Sequence, residues 1–232
     1  MGRVSLLLEA RDLSAVMVGD AGDVRILDGI SLAVDSGEIV DVVGPSGSGK
    51  STLLRALAQL LPGVTGELFV GGASSAQMAP ARWRARVTLL PQKPIMFAGT
   101  LRDNLVYPWL LGVRKGDARP EDRRLAEGLA RLGVDAALDR DATRLSVGQV
   151  ARVAFLRTLL TDPSVLLLDE PDAALDDVAA DAVAALTAEF VTGRAGRGGG
   201  AVVRVRHHRS DGLASRRLRL EGGRLTDTEV AR

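Results

Sequence analysis

The chain has 232 residues, and its 30 Lys plus Arg against 29 Asp plus Glu leave a formal net charge of +1. With 46% hydrophobic and 25% charged residues it is a core-forming chain rather than a disordered one, and the near-zero charge offers no basic field for nucleic acid. Cys is absent, which excludes disulfides, Cys-ligated zinc, iron–sulfur clusters and thiol catalysis. No apolar run approaches the roughly 20 residues of a membrane helix, and the amino terminus lacks a basic-then-apolar signal, so a cytoplasmic location is expected.

In chain order, Leu6 and Leu8, then Ile30, Leu32 and Val34 alternating with Ser31, Ala33 and Asp35, predict an antiparallel β-rich portion within about residues 1–43. Residues 39–43, apolar but for Asp41, predict a strand that runs into a glycine-rich turn, after which residues 52–57 take up helical spacing. From about 94 to 160 the spacing is again mostly helical, with Leu125, Leu129 and Leu132 behind a Pro120-Glu121-Asp122 start, and predicts a helical insertion within a single domain. Residues 165–168 form the continuous apolar run of a parallel strand covered on both faces, and 201–205 form a second. Residues 192–200, rich in Gly and Arg, read as a solvated loop; 218–225 read as a hairpin around Gly222-Gly223.

Chemistry enters at Gly44-Pro45-Ser46-Gly47-Ser48-Gly49-Lys50-Ser51, which matches G-x-x-x-x-G-K-[ST] and lies between a predicted strand and a predicted helix. Glycines let successive N–H groups turn inward toward phosphate oxygens, and the helix amino terminus adds partial positive charge. Lys50 is then placed for the β- and γ-phosphates, the Ser51 hydroxyl for Mg²⁺, and Thr52 for a further contact; ATP and Mg²⁺ are the expected ligands. A glycine-rich turn with a chance lysine is the plainer reading, disfavoured by the strand-and-helix context. Asp169 and Glu170 close the 165–168 strand, at the end where ligands of parallel sheets collect. Adjacent strand residues face opposite ways, so Asp169 is expected in the Mg²⁺ shell and Glu170 as the carboxylate that polarises water for in-line attack.

Between these sites lies Leu145-Ser146-Val147-Gly148-Gln149, which resembles the LSGGQ signature of ABC (ATP-binding cassette) ATPases. Other family motifs follow in the family's order: Gln92 after the strand at 87–91, Ala174-Leu175-Asp176 after Glu170, and His207 after the strand at 201–205. The resemblance covers essentially the whole chain. It implies an α/β fold: a P-loop NTPase (RecA-like) core with an antiparallel β-subdomain and an inserted helical subdomain. It also implies ATP hydrolysis by paired cassettes, each nucleotide held between the phosphate loop of one and Ser146, Gly148 and Gln149 of the other. A second copy of the chain and a separate membrane permease are the implied partners, which would hold the protein at the inner face of the membrane. Ser146-x-x-Gln149 is independently a helix capping box. Gln92 looks like the residue that touches Mg²⁺ or its water and links the site to the permease. His207, with His208 as its rival, looks like the donor to the γ-phosphate, and Asp176 belongs at the dimer seam. The segment from Pro94 to Trp109 is similar to that of a small bacterial cassette family linked to iron export.

The sequence also departs from the family. No Phe, Tyr, Trp or His occurs from Leu6 to Leu32, where cassettes stack the adenine, so Val16 or Val18 is expected there and weak discrimination between ATP and GTP follows. Val147 replaces a signature glycine. Asp41, Arg204 and Arg206 put charges into predicted core strands, and Asp41 is expected to pair with one of the two arginines. Cassettes that act on nucleic acid or ribosomes, and regulatory cassettes without catalysis, are the competing classes.

Overall fold

The computed structural model describes residues 6–17, 22–193, 199–206 and 211–228. Strands β1 (Leu6–Met17) and β2 (Val24–Asp35) form a long antiparallel pair, with Leu8, Ala10, Leu13 and Ala15 of β1 buried. The chain then enters β3 (Ile39–Val43), turns through the phosphate loop into α1 (Lys50–Leu57), and returns to the first sheet as β4 (Val64–Val70) and β5 (Ala73–Ser74). The antiparallel sheet therefore has the order β2-β1-β4-β5. It draws on residues beyond the phosphate loop, which the patterning of the first forty residues did not disclose. β3 belongs to the other sheet, because a strand buried along nearly its whole length needs neighbours and cover on both sides.

After α2 (Pro80–Arg86) and β6 (Val87–Leu90), the chain forms α3 (Leu101–Val106), α4 (Asp122–Arg131) and α5 (Val147–Leu160), joined by short 3₁₀ turns. No β-strand interrupts this stretch among the described residues. α4 starts at Asp122, and Leu125, Leu129 and Leu132 are all buried. Its contact with α5 is close at Gly128, where a Cβ would lie 2.5 Å from Leu156 Cδ1, so a side chain there would force Leu156 to repack.

The chain returns to the core through β7 (Val165–Asp169), α6 (Asp177–Thr192), β8 (Ala201–Val205), and the antiparallel hairpin β9 (Arg216–Glu221) and β10 (Arg224–Thr228). The hairpin turns on Gly222 and Gly223, both with positive φ, as a two-residue turn demands. The second sheet runs β10-β9-β3-β8-β7-β6 and is parallel apart from that hairpin. One face packs on α1 and the antiparallel sheet through Leu53, Leu57 and Trp83; the other packs on the helical stretch through Leu101, Leu105 and Phe155.

The charges inside this sheet are compensated. Asp41 and Arg204 are directly opposed on neighbouring strands, each about 3% exposed, and Arg204 Nε donates to Asp41 Oδ1 at 2.5 Å. Arg204 also donates twice to Asp211, at 2.7 Å each. Arg206 does not meet Asp41; it pairs with Asp211 at 2.6 Å and with Asp172.

Candidate functional site

The phosphate loop joins the carboxyl end of β3 to the amino end of α1, and its shape depends on glycine at two positions. At Gly44 a Cβ would lie 2.2 Å from the Leu220 carbonyl oxygen, so the loop is pressed against β9. At Gly49, which caps α1 with φ +96, a Cβ would lie 2.8 Å from Ile26 Cγ2. Pro45, Ser46 and Gly47 are exposed, whereas Lys50 is buried and donates to the carbonyls of Gly44 (3.0 Å) and Pro45 (2.8 Å). An ammonium carries three donors, so one more is available to a phosphate oxygen. Burial pushes the Lys50 ammonium below its ordinary value, while Glu170 and Asp169 pull it back toward the charged form. The Ser48 hydroxyl is buried without a hydrogen-bond partner, which suits a loop shaped to meet an anion. Thr52 is half-buried on the first turn of α1.

Opposite the loop, Asp169 ends β7 and accepts a hydrogen bond from Ser51 Oγ at 3.0 Å. Burial pushes its carboxyl above the ordinary value, with Glu170 adding to the shift and the Ser51 hydrogen bond opposing it. A buried carboxylate beside a hydroxyl, both hard oxygen donors, fits Mg²⁺, and a cation there favours the ionised carboxylate.

Glu170 is separated from Asp169 by more than strand alternation. The strand has ended, and Glu170 has φ +51, a left-handed conformation that costs a non-glycine residue about 1–3 kcal/mol. Pro171 follows it, and a residue before proline is itself biased toward extended backbone. Glu170 N–H donates to the Val205 carbonyl at 3.1 Å, and Gln92 Nε2 donates to Glu170 Oε2 at 2.8 Å. Gln92 thus meets the carboxylate expected to act on water.

Immediately after Gln92 the chain lines an open groove of about 770 Å³ between α2 and the helical stretch, floored by Pro91, Pro94, Ile95, Leu111, Val113 and Arg157. Ile95, Leu110, Leu111 and Val113 are exposed, and Phe97 stacks on Tyr107 with ring centroids 4.3 Å apart. Arg84, Lys93 and Arg114 line the same groove.

The signature segment opens α5. Ser146 Oγ accepts the Gln149 N–H at 3.3 Å and Gln149 Oε1 accepts the Ser146 N–H at 3.0 Å, which completes the capping box. Val147 is 76% exposed and is not among the residues with left-handed φ, so valine is accommodated there without strain. At Gly148 a Cβ would lie 3.1 Å from the Ala174 carbonyl oxygen, which brings the signature against the segment that leads to Asp176. Asp176 caps α6, accepting from the Ala179 N–H at 2.8 Å. His207 and His208 lie outside the described residues, as does Val18. Val16, Met17 and Val24 are all exposed, and Met17 and Val24 are opposed across β1 and β2.

Strand order, glycine-shaped loop, lysine and paired carboxylates together define a phosphate-loop nucleotide-binding fold. The ABC transporter family profile matches residues 27–173, more than half of the chain, and the chain belongs to that family. Protein STAR1 of Oryza sativa subsp. japonica is 45% identical over 66% of this chain, and the match spans 44% of that protein's own length. The probable iron export ATP-binding protein FetA of Escherichia coli is 36% identical, over 68% of each chain. A solved dimeric structure of a post-hydrolysis ATP-binding cassette with ADP and Pi shares the fold at TM-score 0.81 and 22% identity, covering 97% of this chain and all of that one.

Proposed function

We propose that the chain is the ATP-hydrolysing subunit of a transporter: two copies close around ATP and Mg²⁺, and the motion drives a separate membrane permease. The observation that carries this reading is Gln92, which donates to Glu170 while its neighbours Pro91, Lys93, Pro94 and Ile95 line the apolar groove. A permease segment seated in that groove is one residue away from the catalytic carboxylate. Family membership and the kinship to an iron export ATP-binding protein support the same reading. No helix among the described residues is long and apolar enough to cross a membrane.

In the proposed reaction the loop amides and Lys50 hold the β- and γ-phosphates, and Glu170 accepts the proton of the attacking water. Gln92 keeps the Glu170 carboxylate aimed. Ser51 and Asp169 would hold Mg²⁺, with Gln92 near its water, and the ion when bound neutralises charge on the polyphosphate. The partner copy supplies Ser146, Gly148 and Gln149 at the γ-phosphate, where the amino end of α5 favours negative charge. His207 is assigned as donor to the transferring phosphoryl group. With aliphatic residues at the base, ATP and GTP should compete within a few-fold of each other.

The test is affinity purification of the Glu170→Gln chain from its native cells in mild detergent with ATP and Mg²⁺. Recovery of a polytopic membrane protein in near-equal amount supports the reading. Recovery of ribosomes, nucleic acid or only the soluble chain overturns it.

A further inference from the structure

Glu170 is held in a conformation that its local sequence opposes, and we propose that Asp172 and Arg206 are the positioning pair that holds it for hydrolysis. This rests on the ATPase reading above and assigns two residues that no family motif covers.

The β7–β8 ladder ends with Asp169 opposite Val205, and Glu170 then makes its left-handed turn. Two contacts fasten the turn to consecutive residues at the end of β8. The Glu170 N–H donates to the Val205 carbonyl, and the Asp172 carboxylate pairs with the Arg206 guanidinium. The first fixes the near side of the Glu170–Pro171 unit and the second its far side. Gln92 holds the carboxylate, and the Ala173 N–H donates to the Glu170 carbonyl at 3.3 Å. Without the Asp172 pair, these contacts hold the turn against the bias of a pre-proline residue toward extended backbone with no anchor on its far side to β8.

Arg206 can serve as an anchor because it is itself anchored. Its side chain is 11% exposed, and it also pairs with Asp211 at 2.6 Å. Asp211 receives both terminal nitrogens of Arg204, and Arg204 is fastened to Asp41 within the sheet. The result is a series of alternating charges, Asp41, Arg204, Asp211, Arg206 and Asp172, from the strand that leads into the phosphate loop to the turn that carries Glu170. An ion pair at the surface would hold little, but this one ends on a partly buried arginine whose other partner is fixed. The same arrangement holds Arg206, next to His207 in sequence, between two carboxylates.

The experiment measures steady-state ATP hydrolysis, nucleotide affinity and melting temperature for the full chain and for D172N, R206Q, R206K and the D172N/R206Q double variant. A misplaced reacting group costs about 10- to 100-fold in rate. D172N and R206Q are each expected to lower kcat by that factor with KM for ATP within twofold, the double variant no further, and R206K to recover most of the rate. D172N alters a carboxylate that is 25% exposed and carries the test even where R206Q fails to fold. Unchanged kcat with a lowered melting temperature would overturn the proposal, as would additive losses in the double variant, since these mean that the residues act apart. The Glu170→Gln control separates the two readings: a parent chain without Glu170-dependent turnover refutes the ATPase assignment, whereas normal turnover in D172N refutes the positioning pair alone.

Discussion

The two helix amino termini assigned to the proposed nucleotide site are built in opposite ways. At α1 the residues turn inward: Lys50 is buried, tied to two loop carbonyls, and the loop is pinned between Leu220 and Ile26. At α5 they turn outward: the capping box closes on itself and Val147 stands 76% exposed. One half is completed by its own chain and depends on the core, while the other is an exposed surface, the one proposed to meet a second copy. Substitutions in the first half should therefore move stability and binding together, and substitutions in the second should leave the monomer nearly untouched.

The largest expected effect is on the inward half. Asp41→Asn leaves Arg204 short of a buried counter-charge and should cost about 3–5 kcal/mol, lowering the melting temperature by roughly 6–20 °C. A variant that melts with the parent would show that Asp211 alone satisfies Arg204. Lys50→Ala should reduce turnover about 10²- to 10³-fold by removing a donor aimed at the transferring phosphate, read in the same hydrolysis assay.

Asp169→Asn tests the sign of the burial effect. A carboxyl whose pKa is raised by folding destabilises the fold above its unfolded value, and that penalty disappears as pH falls and the group is protonated. The asparagine variant should therefore melt slightly higher than the parent at neutral pH and equally at acidic pH, while losing the additional stabilisation by Mg²⁺ with ATP. Smallest of all, Val147→Gly in the outward half should cost only about 0.5–1 kcal/mol in helix stability and leave nucleotide affinity of the monomer unchanged. A large loss of affinity there would break the contrast between the two termini.

Much of this contrast was legible in the sequence, and for a local reason. The phosphate loop, the capping box and the parallel strands are defined by residues close together in the chain, so spacing alone identifies them. The ion pair of Asp41 was legible because a charge in a buried strand demands a partner, although spacing could not decide between Arg204 and Arg206. What escaped was non-local: the recruitment of β4 and β5 into the first sheet, the α2 and 111–114 side of the groove that Pro94 lines, and Asp172. Asp172 looks like an ordinary turn residue until the fold brings Arg206 beside it. The left-handed backbone of Glu170 was equally invisible, because no glycine marks it.

The position of β3 has a consequence for how the molecule is made. Its two neighbours in the sheet are β8 and β9, and the pairing of Asp41 with Arg204 spans 163 residues. During synthesis the loop leaves the ribosome long before the strand that shapes Gly44 has been translated. Domains dominated by such distant pairings fold slowly. The phosphate loop thus cannot be completed before β8 and β9 have been made, and a product lacking β9 is expected to bind nucleotide poorly.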